Sequence, residues 1–252
     1  MNPAYDDTMQ TLALIPARGG SKSIPRKNIL PLAGHPLVAY SIAGGLQARG
    51  VDRVLVSTDD EEIAEVARRC GAEVPFLRPA ALAQDDTPDL PVFRHALEWL
   101  EAEEGYRPDI VVQLRPTSPL RRLAHIEAAI DLLSRRPDAD SARTVIVPFQ
   151  NPYKMWRIDA GGFLQPLLDG EFSEPYNMPR QLLPQVYWQT GYVDAAWRRT
   201  ILEMDSMTGR HILPLVIEPG DWIDIDSQED WRQAERLLES GELTLEDLGF
   251  QI

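Results

Sequence analysis

Residues 12–28 read LALIPARGGSKSIPRKN, an apolar run that leads directly into a basic loop with two adjacent glycines. The run 12–16 is short and is followed by turn residues, which predicts a buried strand. Gly19 and Gly20 let the backbone turn tightly and expose N–H groups to an anion. Arginine and lysine side chains neutralise phosphate oxygens. The cations of this loop are Arg18, Lys22, Arg26 and Lys27. The stretch therefore predicts a strand that carries a phosphate-binding loop, and a solvated basic loop is the alternative.

The distribution of charge supports a local anion site. The chain has 252 residues, 39 of them acidic, and a net charge of -14. No acidic residue stands between Asp7 and Asp52, where random placement would put about seven. An acidic protein has thus kept one region free of anions, as a polyphosphate site requires. The acidic surface repels phosphate backbones, so we expect no nucleic-acid partner.

Composition excludes several classes of protein. No apolar run approaches the roughly 18 residues of a membrane helix, so we expect no membrane association. The N-terminal residues lack the basic and apolar regions of a secretory signal, and we predict a cytoplasmic protein. The single cysteine, Cys70, excludes an intrachain disulfide and a cysteine-based zinc site.

Apolar runs and amphipathic stretches alternate along the chain. The predicted strands are 12–16, 53–57, 73–76, 110–114, 144–149, 212–217 and 222–226. The predicted helices are 36–49, 60–69, 88–104, 122–135 and 227–238. This alternation predicts one α/β domain over residues 1–252, with a mostly parallel sheet and helices on both faces. Ligands of such sheets lie at the carboxyl ends of the strands.

The segment 151–185 interrupts the alternation. It is rich in Pro, Gly, Tyr and Trp and contains only short stretches that could be strands. Aromatic side chains need to be buried, so we interpret about 150–186 as an inserted subdomain rather than a linker.

The sequence Ile223-Asp224-Ile225-Asp226 alternates apolar and acidic residues. In an extended strand, both carboxylates point to one face and both isoleucines to the other. Mg²⁺ is commonly held by one or two carboxylates together with substrate phosphates. Asp224 and Asp226 are therefore candidate metal ligands, and an edge strand with two solvated aspartates is the alternative.

A second polar segment follows the predicted strand 110–114. Arg115, Thr117 and Ser118 lie in a proline-bounded turn where a parallel sheet places ligand contacts. A rigid strand-to-helix connection is the alternative. No metal-ligand spacing of histidines and no Ser-His-Asp or Cys-His arrangement is present.

Several motifs, in the same order along the chain, resemble the acylneuraminate cytidylyltransferases, the CMP-sialic acid synthetases. The resemblance spans about residues 11–240. Its motifs are the loop at 14–28, Val56-Ser57-Thr58-Asp59, Leu77-Arg78-Pro79, Pro116-Thr117-Ser118-Pro119-Leu120-Arg121, the segment 179–185 and Ile223-Asp224-Ile225-Asp226.

The resemblance implies a Rossmann-like fold and transfer of CMP from CTP to an acidic 2-keto sugar (a nonulosonic acid), with Mg²⁺ as cofactor and release of pyrophosphate. It also implies a homodimer, or a dimer of dimers, in which the insertion forms the dimer contact. The implied catalytic residues are Arg18, Lys22, Lys27 and Asp226. The implied nucleotide-binding residues are Ala17, Arg18, Gly19, Gly20, Ser21, Lys22, Asn28 and Arg78. The implied substrate-binding residues are Arg115, Thr117, Ser118, Lys154, Arg180 and Gln189, of which Lys154 and Arg180 would come from the partner subunit. The implied metal ligands are Asp224 and Asp226.

Two positions depart from the family pattern near the expected acceptor site. Arg115 stands where these enzymes usually have Gln, and Gln189-Thr190-Gly191 stands in place of Asn-Gly-Ala. Arginine adds a permanent charge, so the acceptor could carry a different or additional anion. The alternatives are a Kdo-like acid, a sugar phosphate or a phosphonate as acceptor, or another nucleoside triphosphate. A non-catalytic nucleotide-binding protein also stays open, whereas an NAD oxidoreductase lacks its G-x-G-x-x-G.

Overall fold

The computed structural model describes residues 9–168, 170 and 172–251. The strands are β1 Thr11–Pro16, β2 Pro31–Leu32, β3 His35–Pro36, β4 Arg53–Ser57, β5 Ile110–Gln113, β6 Ser141–Ile146, β7 Trp156–Ile158, β8 Leu164–Pro166, β9 Trp188–Trp197 and β10 Ile212–Val216. The α-helices are α1 Leu37–Gln47, α2 Glu61–Arg69, α3 Asp89–Glu104, α4 Leu123–Ser134, α5 Arg198–Leu202 and α6 Gln228–Glu239. Residues 1–8, which carry much of the N-terminal stretch without secretory features, lie outside the described residues.

The central sheet has the strand order β10-β6-β9-β5-β1-β4. β1 pairs in parallel with β4 and β5, and β10 pairs in parallel with β6. β9 runs antiparallel to its neighbours β5 and β6. The sheet is therefore mostly parallel, as the alternation of strands and helices predicts.

Strand β1 is buried on both faces. Ala13 and Ile15 face one apolar cluster, to which α1, α2 and α4 contribute. Leu12 and Leu14 face a second cluster, to which α3 and α5 contribute. Successive side chains of a strand point to opposite faces, so this split confirms helices on both sides of the sheet. None of the described helices is long and apolar enough to cross a membrane.

Three of the predicted strands are wrong in extent or type. The stretch 73–76 contributes a single bridge between Glu73 and Leu55. The strand predicted at 144–149 starts three residues earlier in the structure, since β6 spans Ser141–Ile146. Ser141 is buried there, and its hydroxyl donates to the Thr208 carbonyl at 2.6 Å. The stretch 222–226 forms no ladder with the described strands; its Ile225 N–H donates to the Thr117 carbonyl at 2.7 Å, and its Ile225 carbonyl accepts from Lys27 Nζ.

Residues 147–187 separate β6 from β9, close to the predicted bounds of the insertion. β7 and β8 pair there as an antiparallel hairpin. Several large hydrophobic side chains of residues 147–187 are exposed in the single chain, among them Phe149 (83% exposed), Ile158 (73%) and Phe163 (70%). Tyr153 packs against Phe172 and Tyr176 packs against Trp156, so the aromatic side chains of the segment are buried in part within the chain.

Candidate functional site

A cavity of about 440 Å³ lies at the carboxyl ends of β1 and β5. It brings together nine of the residues predicted from sequence: Arg18, Ser21, Lys22, Lys27, Asn28, Arg78, Arg115, Thr117 and Asp226. Its position agrees with the rule that open α/β sheets bind ligands beyond the carboxyl ends of their strands.

The loop after β1 is held close to the end of β4. The Ala17 N–H donates to the Ser57 carbonyl at 3.0 Å, and the Gly19 N–H donates to Asp59 Oδ1 at 3.0 Å. A Cβ at Gly19 would lie 2.8 Å from Asp60 Oδ2, so this position needs glycine for close packing. The Gly19 N–H is thus used within the chain, whereas the sequence suggested that it faces an anion.

Two of the loop cations face the cavity and share one counter-ion. Arg18 Nη1 lies 3.1 Å from Asp85 Oδ1, and Lys22 Nζ pairs with Asp85 Oδ2. Arg18 Nη1 also donates to the Gln84 carbonyl at 2.8 Å. Arg26 does not line the cavity, because it pairs with Asp60 and Glu62 at the start of α2.

Lys27 joins the loop to the acidic segment. Its side chain is 8% exposed, and Nζ donates to the Ile225 carbonyl at 2.6 Å and lies 3.4 Å from Asp226 Oδ1. The Asp226 N–H donates to Asp230 Oδ2 at 3.1 Å. Asp230 in turn forms the predicted capping box with Ser227 at the start of α6, which the structure confirms. The backbone of Asp226 is therefore fixed from both sides.

Asp224 fits a cation site. Ile223 and Ile225 are buried, which leaves the two aspartates on the opposite side of the extended segment. Burial raises the pKa of Asp224, and a hydrogen bond with Thr117 offsets part of that rise. Asp224 Oδ1 is buried and has no hydrogen-bond partner among the described residues. A buried oxygen without a partner is costly, and a bound cation would satisfy it.

The described residues contain no group of three or more His, Cys, Asp or Glu side chains that could hold a metal ion. Mg²⁺, however, usually keeps several waters and takes one or two carboxylates together with substrate phosphates. The donor set of Asp224 and Asp226 beside a phosphate loop fits this mode, although Asp224 itself does not line the cavity.

Arg78 and Asn28 shape the wall of the cavity. Arg78 is 5% exposed, and its Nη2 donates to the Ser57 carbonyl at 2.7 Å. Burial lowers the pKa of Arg78. Asn28 Nδ2 donates to the Arg18 carbonyl at 2.9 Å. Both side chains are therefore tied to the backbone that carries the loop.

Arg115 lies at the opposite side and is paired with Asp89 at the start of α3. A side chain at Gly191 would collide with the Arg115 guanidinium, and Gly191 has φ +66°. The left-handed backbone conformation favours glycine at position 191, and a side chain there would require the flexible end of Arg115 to move. Because Asp89 already neutralises much of the Arg115 charge, Arg115 is a weaker anion site than its sequence position suggests.

The remaining predicted residues do not line the cavity. Ala17 and Ser118 are buried in the turns beside the cavity, and Gly20 is exposed in the same loop as Gly19. Three other residues lie in or beside the insertion: Lys154, Arg180 and Gln189.

Lys154 and Arg180 are engaged within the insertion itself. Lys154 Nζ donates to the carbonyls of Tyr176 and Met178 at 3.0 and 2.7 Å. Arg180 Nη2 donates to the Pro148 carbonyl at 2.7 Å and borders a separate cavity of about 540 Å³. A single chain therefore does not bring them to the phosphate loop.

Sequence reasoning missed one wall of the cavity. The segment between Arg78 and α3 contributes four lining residues, Leu82, Gln84, Asp85 and Thr87, and the first turn of α3 adds Asp89 and Val92. This wall could have been predicted from its place in the sequence, because the segment follows the motif Leu77-Arg78-Pro79 and leads into the first turn of a helix.

Comparisons with known proteins agree with this geometry. The family model described as cytidylyltransferase matches residues 12–154. The CMP-N,N'-diacetyllegionaminic acid synthase of Legionella pneumophila is 33% identical over 92% of this chain and 97% of its own length. The N-acylneuraminate cytidylyltransferase of Escherichia coli is 30% identical over 88% of this chain and 51% of its own length.

Solved structures show the same fold. A structure of CMP:2-keto-3-deoxy-manno-octonic acid synthetase complexed with CTP matches with a TM-score of 0.69 at 19% identity, over 92% of this chain and 99% of that one. The 4-diphosphocytidyl-2C-methyl-D-erythritol synthase from Anaerococcus prevotii matches with a TM-score of 0.63 at 13% identity, over 92% of this chain and 100% of that one. The family match covers more than half of this chain, and the chain therefore belongs to the cytidylyltransferase family of nucleotidyltransferases.

Proposed function

We propose that this enzyme transfers CMP from CTP to an acidic 2-keto sugar of the nonulosonic type and releases pyrophosphate. The observation that carries the proposal is one cavity that is lined both by arginine and lysine side chains and by Asp226. Relatives along nearly the whole chain are named for CMP-linked nonulosonic acids, which supports this class of acceptor.

The phosphates of CTP would lie along the loop after β1. Arg18 and Lys22 face the cavity with flexible, partly exposed side chains, which suits them to bind phosphate oxygens. Lys27 is buried and fixed against the Ile225 carbonyl, so it would act as a stationary positive charge between the phosphates and Asp226. The main contributions of the protein are then positioning and charge neutralisation, as in phosphoryl transfer generally.

Asp224 and Asp226 would hold Mg²⁺. The bound ion would supply charge stabilisation at the phosphates. The unpartnered Oδ1 of Asp224 and the backbone-fixed Asp226 are the features of this chain that support this role.

The acceptor would bind on the Arg115 side of the cavity. Its anomeric hydroxyl would attack the α-phosphorus and lose its proton to solvent, forming one P–O bond while the bond to the pyrophosphate oxygen breaks. Thr117 lines this side of the cavity, and Ser118 supports the turn through its N–H, which donates to the Arg115 carbonyl at 3.2 Å.

The insertion would form a homodimer contact. Phe149, Ile158 and Phe163 are exposed in the single chain, and a second copy of the chain would bury them. In such a dimer, Lys154, Arg180 and Gln189 of one subunit would reach toward the cavity of the other, and two dimers could associate further.

We also propose that the enzyme acts in the cytoplasm, where CTP is available, without nucleic-acid or membrane partners.

A panel of acceptors tests the proposal. CTP and Mg²⁺ are incubated with N-acetylneuraminate, a legionaminate, a pseudaminate, Kdo, a hexose 1-phosphate and a phosphonate, and pyrophosphate release is measured. We expect release with at least one nonulosonate and none from the Asp226→Asn variant. Release only with the hexose 1-phosphate or the phosphonate would overturn the assignment of the acceptor.

A further inference from the structure

Asp85 forms a bridge between Arg18 and Lys22, two of the three loop cations that line the cavity. It lies between the short 3-10 helix Ala80–Leu82 and the start of α3. Its Oδ1 is 3.1 Å from Arg18 Nη1, and its Oδ2 pairs with Lys22 Nζ. These pairings, chiefly the hydrogen bond from Lys22, lower the pKa of Asp85. The carboxylate therefore stays ionised at neutral pH and is held at the mouth of the phosphate loop.

The other two cations of the loop are committed elsewhere. Arg26 is paired with Asp60 and Glu62, and Lys27 is buried against the Ile225 carbonyl. Arg18 and Lys22 are thus the loop cations with freedom to bind a ligand, and Asp85 neutralises both of them. A carboxylate that bridges an arginine and a lysine uses the same donors that a phosphate group would use.

We propose that Asp85 is an internal counter-ion that holds Arg18 and Lys22 in the nucleotide-free enzyme, yields them to the triphosphate of CTP, and takes them back as pyrophosphate leaves. The nature of the displaced ligand rests on the proposed function. Exchange of one anion for another keeps the cations neutralised at every stage. Arg18 would also stay near the cavity during the exchange, because it donates to the Gln84 carbonyl at 2.8 Å as well as to Asp85.

The expected effect is a competition between Asp85 and the ligand phosphates. The pairs are partly exposed, with side-chain exposures of 33% for Arg18, 78% for Lys22 and 44% for Asp85, so each contributes little by itself. Removing both pairs should tighten polyphosphate binding about three- to tenfold. Asp85→Asn should therefore lower the KM for CTP and strengthen inhibition by pyrophosphate.

Isothermal titration calorimetry of the full chain at fixed excess Mg²⁺ tests the proposal with CTP, inorganic pyrophosphate and cytidine as probes. Asp86→Asn is the matched control, because it removes the same charge from the next residue, which does not line the cavity. We expect Asp85→Asn to bind CTP and pyrophosphate more tightly, Asp86→Asn to change either affinity less than about twofold, and cytidine to bind all variants equally. Asp85→Glu, which keeps the charge, should stay near wild type.

Unchanged affinities in a folded Asp85→Asn variant, judged by its thermal midpoint, would overturn the role of Asp85 as a counter-ion. Weaker CTP binding by the folded Asp85→Asn variant would also overturn it, because Asp85 would then support binding of the nucleotide instead of competing with it. These titrations need no acceptor and no turnover, so they are independent of which sugar is used. Failure of the wild-type chain to bind either CTP or pyrophosphate would instead contradict the proposed function itself.

Discussion

Lys27 and Lys22 belong to the same loop but should differ sharply in their effect on stability. Lys27 is buried, and its Nζ donates a hydrogen bond of 2.6 Å to the Ile225 carbonyl. Substitution Lys27→Met keeps most of the apolar stem but leaves that carbonyl without a partner. Lys22 has a side chain that is 78% exposed and makes only a surface ion pair, so Lys22→Met is the matched control.

The magnitude follows from these contacts. A hydrogen bond from a charged donor contributes about 1.5–3 kcal/mol, and the ion pair to the exposed Asp226 adds little. We therefore expect Lys27→Met to lower the free energy of unfolding by about 2 kcal/mol. For a domain of this size that lowers the thermal midpoint by about 4–8 °C. Lys22→Met should lower it by less than about 2 °C.

Thermal unfolding followed by circular dichroism measures both variants. Because both remove one positive charge from the cavity, a difference between them reports burial and the bond to Ile225 rather than charge. Equal midpoints for the two variants would refute the reasoning that Lys27 is a structural tie between the loop and the acidic segment.

Four further predictions follow from named contacts. Asp224→Asn and Asp226→Asn should each abolish Mg²⁺-dependent pyrophosphate release. If either variant released pyrophosphate at the wild-type rate, the substituted aspartate would not be a metal ligand. Ser227→Ala breaks the capping box and should lower stability by about 1 kcal/mol in denaturant titration, whereas an unchanged midpoint would show that the cap is dispensable. Burial lowers the pKa of His125, so its neutral form stabilises the fold above the ordinary pKa of about 6.5, and this stabilisation is lost as the pH falls. The thermal midpoint of His125→Gln should therefore decline less between pH 7.5 and 5.5 than that of the wild type. An equally steep decline in both proteins would contradict this. Mixed dimers of Asp226→Asn and Arg180→Ala subunits should regain up to one active site per dimer if Arg180 acts on its partner's cavity, whereas an inactive mixture would place Arg180 in its own subunit's site.

The strongest local patterns predicted the fold well. The apolar run that becomes β1 is buried on both faces, as a central parallel strand requires, and the basic loop after it lines the cavity. The capping box at Ser227 is read directly from residue type and spacing, since it involves neighbours three residues apart.

Patterns that depend on distant partners were predicted poorly. The stretch 222–226 looks like a strand because its residues alternate, yet its pairing is replaced by one bond to Thr117 and by the cap from Asp230. β9 is a strand of ten residues that runs against its neighbours, which no local pattern reveals.

The counter-ions of the site were the feature that the sequence predicted least well. Asp85 and Asp89 stand more than 20 positions from the cations that they neutralise, and only the fold brings them to Arg18, Lys22 and Arg115. Sequence counting showed a loop free of acids, but it could not show that acids from another loop complete it.

The chemical identity of the product tests the central claim most directly. The chain is incubated with CTP, Mg²⁺ and the acceptor that releases most pyrophosphate, and the purified product is measured by ³¹P NMR with a mass determination. We expect one phosphorus resonance without phosphorus–phosphorus coupling and a mass equal to CMP joined to the sugar acid. Two coupled resonances, as in a CDP-linked sugar, or a product formed from UTP or GTP in preference to CTP, would contradict it.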